Sequence, residues 1–131
     1  MAYTISKRHH FSASHILAGL PEGHPCGRLH GHNYEIDVRL SSASVDPVTG
    51  FVLDYGELKP FLAWVDSTLD HRHLNDVLTA GTRPSLEGNP TAENLSRVLA
   101  RTAQHILDLP EHVTVEVAVS ETPKTWATWR P

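Results

Sequence analysis

Ten of the 131 residues are histidine, and six of those fall between His9 and His32. The sharpest local run is Cys26-Gly27-Arg28-Leu29-His30-Gly31-His32. His30 and His32 stand two apart, so on a strand both imidazoles point to the same face. Their parity is that of Tyr34 and Ile36, an interior face, and Gly31 between them adds no side chain to the opposite one. Two imidazoles one strand repeat apart can share one metal ion. His15, just beyond a first strand, is near enough in a hairpin to offer a third nitrogen. Three neutral imidazoles with one position left open describe a catalytic zinc site, because structural sites close the shell with a fourth protein ligand.

Cys26 is the only thiol. A nearby imidazole or Zn²⁺ would favour its thiolate, which then serves either as a proton-abstracting base or as a fourth metal ligand. The base is the preferred reading, since a thiolate ligand would close the open position. Asp70-His71 ends a helical stretch, and an Asp beside a His can orient an imidazole. Neighbouring side chains on a helix do not face each other, so that partnership needs irregular backbone. Glu121 follows a valine-rich strand with the parity of its valines and should point inward, where a carboxylate is costly unless something binds it. His9, His10, His24, His73, His105 and His112 read as ordinary polar residues, with His105 and His112 at the surface and His24 at most lining an entrance.

The elements that must position these groups follow from hydrophobic period. Residues 2–12 are extended in character, and Leu20 to Pro25 form a Pro/Gly loop. Over 31–41, Tyr34, Ile36, Val38 and Leu40 alternate with Asn33, Glu35, Asp37 and Arg39, a strand with one wet face. Asp46 to Gly50 is a turn by composition. From Tyr55 to Leu69 the period becomes helical, with Leu58, Phe61, Leu62, Val65 and Leu69 in one stripe. Asp54 and Glu57 are spaced for a capping box, and Pro60 must sit in the first turn. Residues 79–90 read as loop, and Pro90 as the first position of a second helix whose buried side carries Leu95, Val98, Leu99, Thr102 and Ile106. Val113 to Val119 alternate as a third strand, and Thr125–Arg130 form a fourth after a turn at Pro123-Lys124. The expected order is β-β-α-α-β-β: an α+β fold with a four-stranded antiparallel sheet, both helices on one face, and an opposite face that needs cover by assembly.

Composition narrows the functional classes. A chain of this length is one domain, spanning residues 1–131, that buries roughly two-thirds of its unfolded surface. Eleven Lys and Arg against fifteen Asp and Glu give a net charge of −4 without a basic run, which argues against nucleic acid as a partner. Apolar runs are too short to span a bilayer, and the N-terminus reads as strand rather than leader, so a cytoplasmic protein with no membrane partner is expected. A single Cys makes no internal disulfide.

Eight segments taken in order resemble the 6-pyruvoyltetrahydropterin synthase family, most nearly its bacterial 6-carboxytetrahydropterin synthases of queuosine biosynthesis. They are Phe11 to His15, Pro21 to His24, Cys26 to His32, Val45 to Phe51, Asp54 to Lys59, Leu69 to Asp76, Asn89 to Glu93 and Val119 to Thr122. The resemblance implies a tunnelling fold whose subunits close into a barrel of strands, as a trimer or hexamer with active sites between chains. It implies His15, His30 and His32 as ligands of one Zn²⁺ per subunit, Cys26 as the base, Asp70 with His71 as a proton relay, and Glu121 as the anchor of the pterin. The implied substrate is dihydroneopterin triphosphate, with Arg28 and Lys124 as candidates for its phosphates. Three residues separate Cys26 from His30, a spacing that favours the carboxy branch over the animal-type pyruvoyl branch, which has five. Ser14 departs from the small apolar residue usual before the first ligand. Two other readings stay open: pyruvoyl chemistry on the same substrate, and a non-catalytic cupin-like metal module in which Glu35 joins His30 and His32. Glu35 has the wrong strand parity for that second role.

Overall fold

The computed structural model describes residues 2–79, 81–82 and 84–131; Ala80 and Arg83, in the loop expected over 79–90, and Met1 lie outside the described residues. A long hairpin organises everything else. Strand β1 (Tyr3–His15) pairs antiparallel with β2 (His30–Ser42) from Tyr3 opposite Ser42 to His15 opposite His30. Alternation then sorts the side chains. Phe11, Ala13 and His15 on β1, with Tyr34, Ile36, Val38 and Leu40 on β2, are buried on an inner face, while Asn33, Glu35, Asp37 and Arg39 take the outer one. Phe11 and Tyr34 stack at 4.9 Å between centroids, next to the histidine end of the hairpin.

The inner face is covered by α1 (Lys59–Thr68) and α3 (Ala92–Ile106), whose stripes Phe61, Leu62, Val65 and Leu95, Val98, Leu99 are buried as the period required. β4 (Thr114–Ser120) pairs with the free edge of β2, placing Val117 and Val119 opposite Val38 and Ile36. The outer face carries charge instead of core: Arg39 bridges Asp37 and Glu116, and Arg130 also reaches Glu116.

Several sequence expectations need correction. Among the described residues the sheet is five-stranded and mixed: Arg72–His73 (β3) pairs parallel with Ala13–Ser14 at the outer edge and Ala127–Thr128 (β5) pairs with β4, giving the order β3-β1-β2-β4-β5. A short α2 (Leu74–Val77) follows it, so there are three α-helices among the described residues. The last strand is only Ala127–Thr128 (β5), shorter than the expected 125–130. It is tied down by Ser96, which donates to the Val117 carbonyl and accepts from the Trp129 amide.

His15 ends β1 rather than lying beyond it. Residues 55–58 form a 3₁₀ turn ahead of α1, and the Asp54 carboxylate accepts from the Gly56 amide instead of forming the capping box with Glu57. α3 starts at Ala92, after Pro90, with Thr91 as its cap accepting from the Asn94 amide. In both cases the α-helix starts slightly downstream of the motif that announced it.

Candidate metal centre and active site

The hairpin register delivers the three histidines. With His15 opposite His30 and Ala13 opposite His32, all three imidazoles occupy one corner of the inner face. Their centroids are 4.5, 4.9 and 5.0 Å apart, and one nitrogen from each lies within 4.8 Å of the others. Glycine at 31 allows the two strands to close here, because a Cβ on it would sit 3.3 Å from the Ala13 carbonyl oxygen.

Backbone carbonyls set the tautomers. His15 Nδ1 is 2.7 Å from the Pro90 oxygen and His30 Nδ1 is 2.7 Å from the Arg28 oxygen. A carbonyl only accepts, so both Nδ1 atoms carry the proton and both Nε2 atoms present a lone pair. Those two Nε2 atoms lie 2.9 Å apart. Two lone pairs facing each other at that distance repel unless a proton or cation lies between them. His32 Nε2 is buried without a hydrogen-bond partner: Glu121 Oε2 is 3.4 Å away but not aligned to bond it. Burial lowers the pKa of His15 and of His32, which favours the neutral, ligating form. Tyr34, with its hydroxyl 3.2 Å from His15 Nδ1, has its pKa raised by burial and stays a neutral phenol. An imidazole trio with one nitrogen from each ring converging, two of the rings oriented through Nδ1 by backbone carbonyls, fits a zinc ion.

The other predicted residues divide by location. Glu121 points inward, as its parity required, and reaches the histidine cluster. Cys26 lies half-buried in a 3₁₀ turn (Pro25–Gly27) of the β1–β2 loop, and the Leu17 amide donates to its carbonyl. The His24 imidazole caps that turn by accepting from the Cys26 amide. Cys26 does not belong to the metal-spaced cluster, which holds the three histidines alone. Arg28 contributes its carbonyl to His30, while its side chain is exposed; Lys124 is exposed in the β4–β5 turn.

Asp70 and His71 lie along the edge of β1 next to β3. Asp70 Oδ1 accepts from the Ser12 amide and Oδ2 lies 2.9 Å from His71 Nδ1, while the His71 amide donates to the Ser12 carbonyl. The irregular backbone this pair demanded is present. His71 has φ of 58°, the one non-glycine residue with positive φ among those described, at a cost of about 1–2 kcal/mol. The Ser12 amide, and then His71, hold the Asp70 carboxyl below its ordinary pKa. The His71 ring, mostly exposed, borders a cleft of about 620 Å³ at the β3 end of the sheet, lined also by Ser12, Ser14, Asn33, His73 and His32. Glu35 is on the outer face, 3.9 Å from Arg8, so it joins no metal group with His30 and His32.

Two contributors were missed from sequence. The Pro90 carbonyl orients His15, and the Arg28 carbonyl orients His30. Backbone groups carry no residue signature, so nothing in the sequence marked them.

A sheet with helices on one face carries a hairpin-borne histidine trio spaced to hold a metal ion, and the comparisons give the chain its family. The family model described as 6-pyruvoyl tetrahydropterin synthase matches residues 4–131, and the chain belongs to that family. It is 31% identical to the 6-carboxy-5,6,7,8-tetrahydropterin synthase of Bacillus subtilis over 99% of this chain and 86% of that protein. The 6-pyruvoyl tetrahydropterin synthase structure from Caenorhabditis elegans superposes with a TM-score of 0.81 at 28% identity, covering 98% of this chain and 95% of that one. The corresponding Plasmodium falciparum structure, at 18% identity and TM-score 0.75 over 97% and 96% of the two chains, shares the fold. No helix among the described residues is long and apolar enough to cross a membrane.

Proposed function

We propose that this chain is a zinc-dependent lyase acting on 7,8-dihydroneopterin triphosphate. With uptake of water it would release triphosphate and acetaldehyde and leave 6-carboxy-5,6,7,8-tetrahydropterin, a step of queuosine and related 7-deazaguanine synthesis. The observation that carries the reading is the convergence of one nitrogen from each of three imidazoles, two of them with Nδ1 fixed by backbone carbonyls, beside the inward Glu121. His15, His30 and His32 hold the ion, which when bound supplies Lewis-acid polarisation of the substrate's side-chain hydroxyls. Glu121 accepts paired hydrogen bonds from the amidine-like edge of the pterin and fixes its orientation. Cys26 takes the proton from the side-chain carbon, and His71, steadied by Asp70, moves the proton at oxygen.

The placement of Asp70 and His71 bears on assembly. They stand at the edge of β1 with the His71 ring mostly exposed, while the histidine trio is on the inner face. The proposed relay is therefore donated to the site of a neighbouring subunit in a trimer or hexamer, working in the cytoplasm. Turnover of dihydroneopterin triphosphate by zinc-loaded protein, with products identified by mass spectrometry, tests the reading. Acetaldehyde and the carboxy product are expected. A 6-pyruvoyl product without acetaldehyde would assign the chain to the other chemistry of its family, and no turnover would overturn the proposal.

A further inference from the structure

Regular pairing of β1 ends at His15 opposite His30, yet the next three residues do not behave as free loop. The Ile16 amide donates to Asn75 Oδ1 at 2.9 Å, and Asn75 Nδ2 donates to the Ile16 carbonyl at 2.9 Å. Two residues on, the Ala18 amide donates to Asn89 Oδ1 at 2.8 Å and Asn89 Nδ2 donates back to the Ala18 carbonyl at 2.8 Å. Between them the Leu17 amide turns the other way and donates to the Cys26 carbonyl at 3.1 Å. A side-chain amide is a planar copy of a peptide group, so each Asn satisfies both backbone groups of one residue as a strand partner would.

We infer that Asn75 and Asn89 are positioning residues that extend β1 past its last backbone partner and hold His15 and Cys26 in a fixed relation. Residues 16–18 form a rail. His15 is continuous with its start, and the Cys26 turn hangs from its middle. Asn89 has a second grip on the same site, because the next residue, Pro90, accepts the His15 Nδ1 proton. α3 steadies that segment through Asn94 Nδ2, which donates to the Asn89 carbonyl at 2.9 Å. The two asparagines reach the rail from separate places, Asn75 from α2 and Asn89 from the approach to α3. Stability of the helical layer is thereby transmitted to the thiol and the first imidazole. Neither asparagine touches the reacting atoms.

The inference rests on the zinc reading only where it concerns metal affinity, and the test separates the two. Full-length Asn75→Leu and Asn89→Leu remove both bonds at near-constant volume, and Asn75→Asp and Asn89→Asp keep the acceptor while losing the donor. Hydrogen exchange at the Ile16 and Ala18 amides, iodoacetamide alkylation of Cys26 and zinc competition against a chromophoric chelator are measured on each. The wild-type amides should be protected. Leu variants should lose that protection and alkylate Cys26 several-fold faster. Zinc should bind about 10–100-fold more weakly, most in Asn89→Leu, with Asp variants in between. Leu variants that melt at lower temperature while retaining wild-type alkylation rate and zinc affinity would reduce both residues to plain structural parts and overturn the inference. If the Leu variants do not fold, the Asp variants decide by the same readouts. Wild-type protein that binds no zinc would sink the zinc reading, while exchange and alkylation would still decide the rail.

Discussion

The histidine corner and the Asp70-His71 segment are both built on β1, three residues apart, and they are built differently. His15 is fully buried, and backbone carbonyls lock its Nδ1 and that of His30. Its geometry is complete within one chain. His71 is held by the Ser12 backbone and by Asp70 at a strained φ, yet its ring faces an open cleft at the edge of the sheet. Folding gives His15 and His30 in the first region fixed backbone partners and brings the third ring to them. It gives the second an orientation and leaves its ring exposed. In the first region the polar atoms converge within the fold; in the second they end at an exposed ring.

The largest effect should come from the buried region. His30→Ala and His32→Ala should lose zinc and turnover together, measured by metal content and product formation, whereas Asp70→Asn should keep a full complement of zinc. Undiminished zinc in both histidine variants would break the comparison at its first term.

Next come the proton-transfer groups. Cys26→Ala and His71→Ala should each retain zinc and lose turnover by about 10²-fold or more. Because the two groups are assigned to different subunits of one site, mixed oligomers of these inactive variants should regain a measurable fraction of wild-type rate. Mixing without recovery, under conditions where subunits demonstrably exchange, would place both groups in one chain.

A smaller effect is expected at the phosphate candidates. Arg28→Ala and Lys124→Ala should raise KM a few-fold and leave kcat nearly unchanged, the signature of lost uniform binding. If neither variant alters KM, these exposed cations have no part in holding the triphosphate.

The smallest is a pH effect on stability. The folded pKa of Asp70 lies below its ordinary 3.8, chiefly through the Ser12 amide. Its contribution is therefore present above the ordinary value and is lost as pH falls through the folded one. Wild type should melt above Asp70→Asn at pH 6, and the gap should shrink on acidification below about pH 4. A gap independent of pH would assign the carboxylate's role to packing instead of charge.

Much of this was legible as pattern. The period of two around Tyr34 and Ile36 located the inner face, and that parity carried His30, His32 and Glu121 to it. The stripes of Phe61 and Leu99 gave the covering helices. Short elements stabilised from outside were illegible. β3 exists because Arg72 and His73 find an edge of β1, and no alternation can be read in two residues. The start of α3 moved to Ala92 because Thr91 supplies a cap to Asn94, while Asn89 is occupied with Ala18.

The sequence alone determined which atoms have the chemistry: imidazoles two apart, one thiol, and a carboxylate with valine parity. It did so because side-chain type and strand period are local properties. Only the tertiary structure decided which nitrogen of His15 and His30 is free, since that choice belongs to the carbonyls of Pro90 and Arg28. It also decided that Asp70 and His71 are held by the Ser12 backbone with the His71 ring exposed, because that contact joins residues nearly sixty positions apart along the chain.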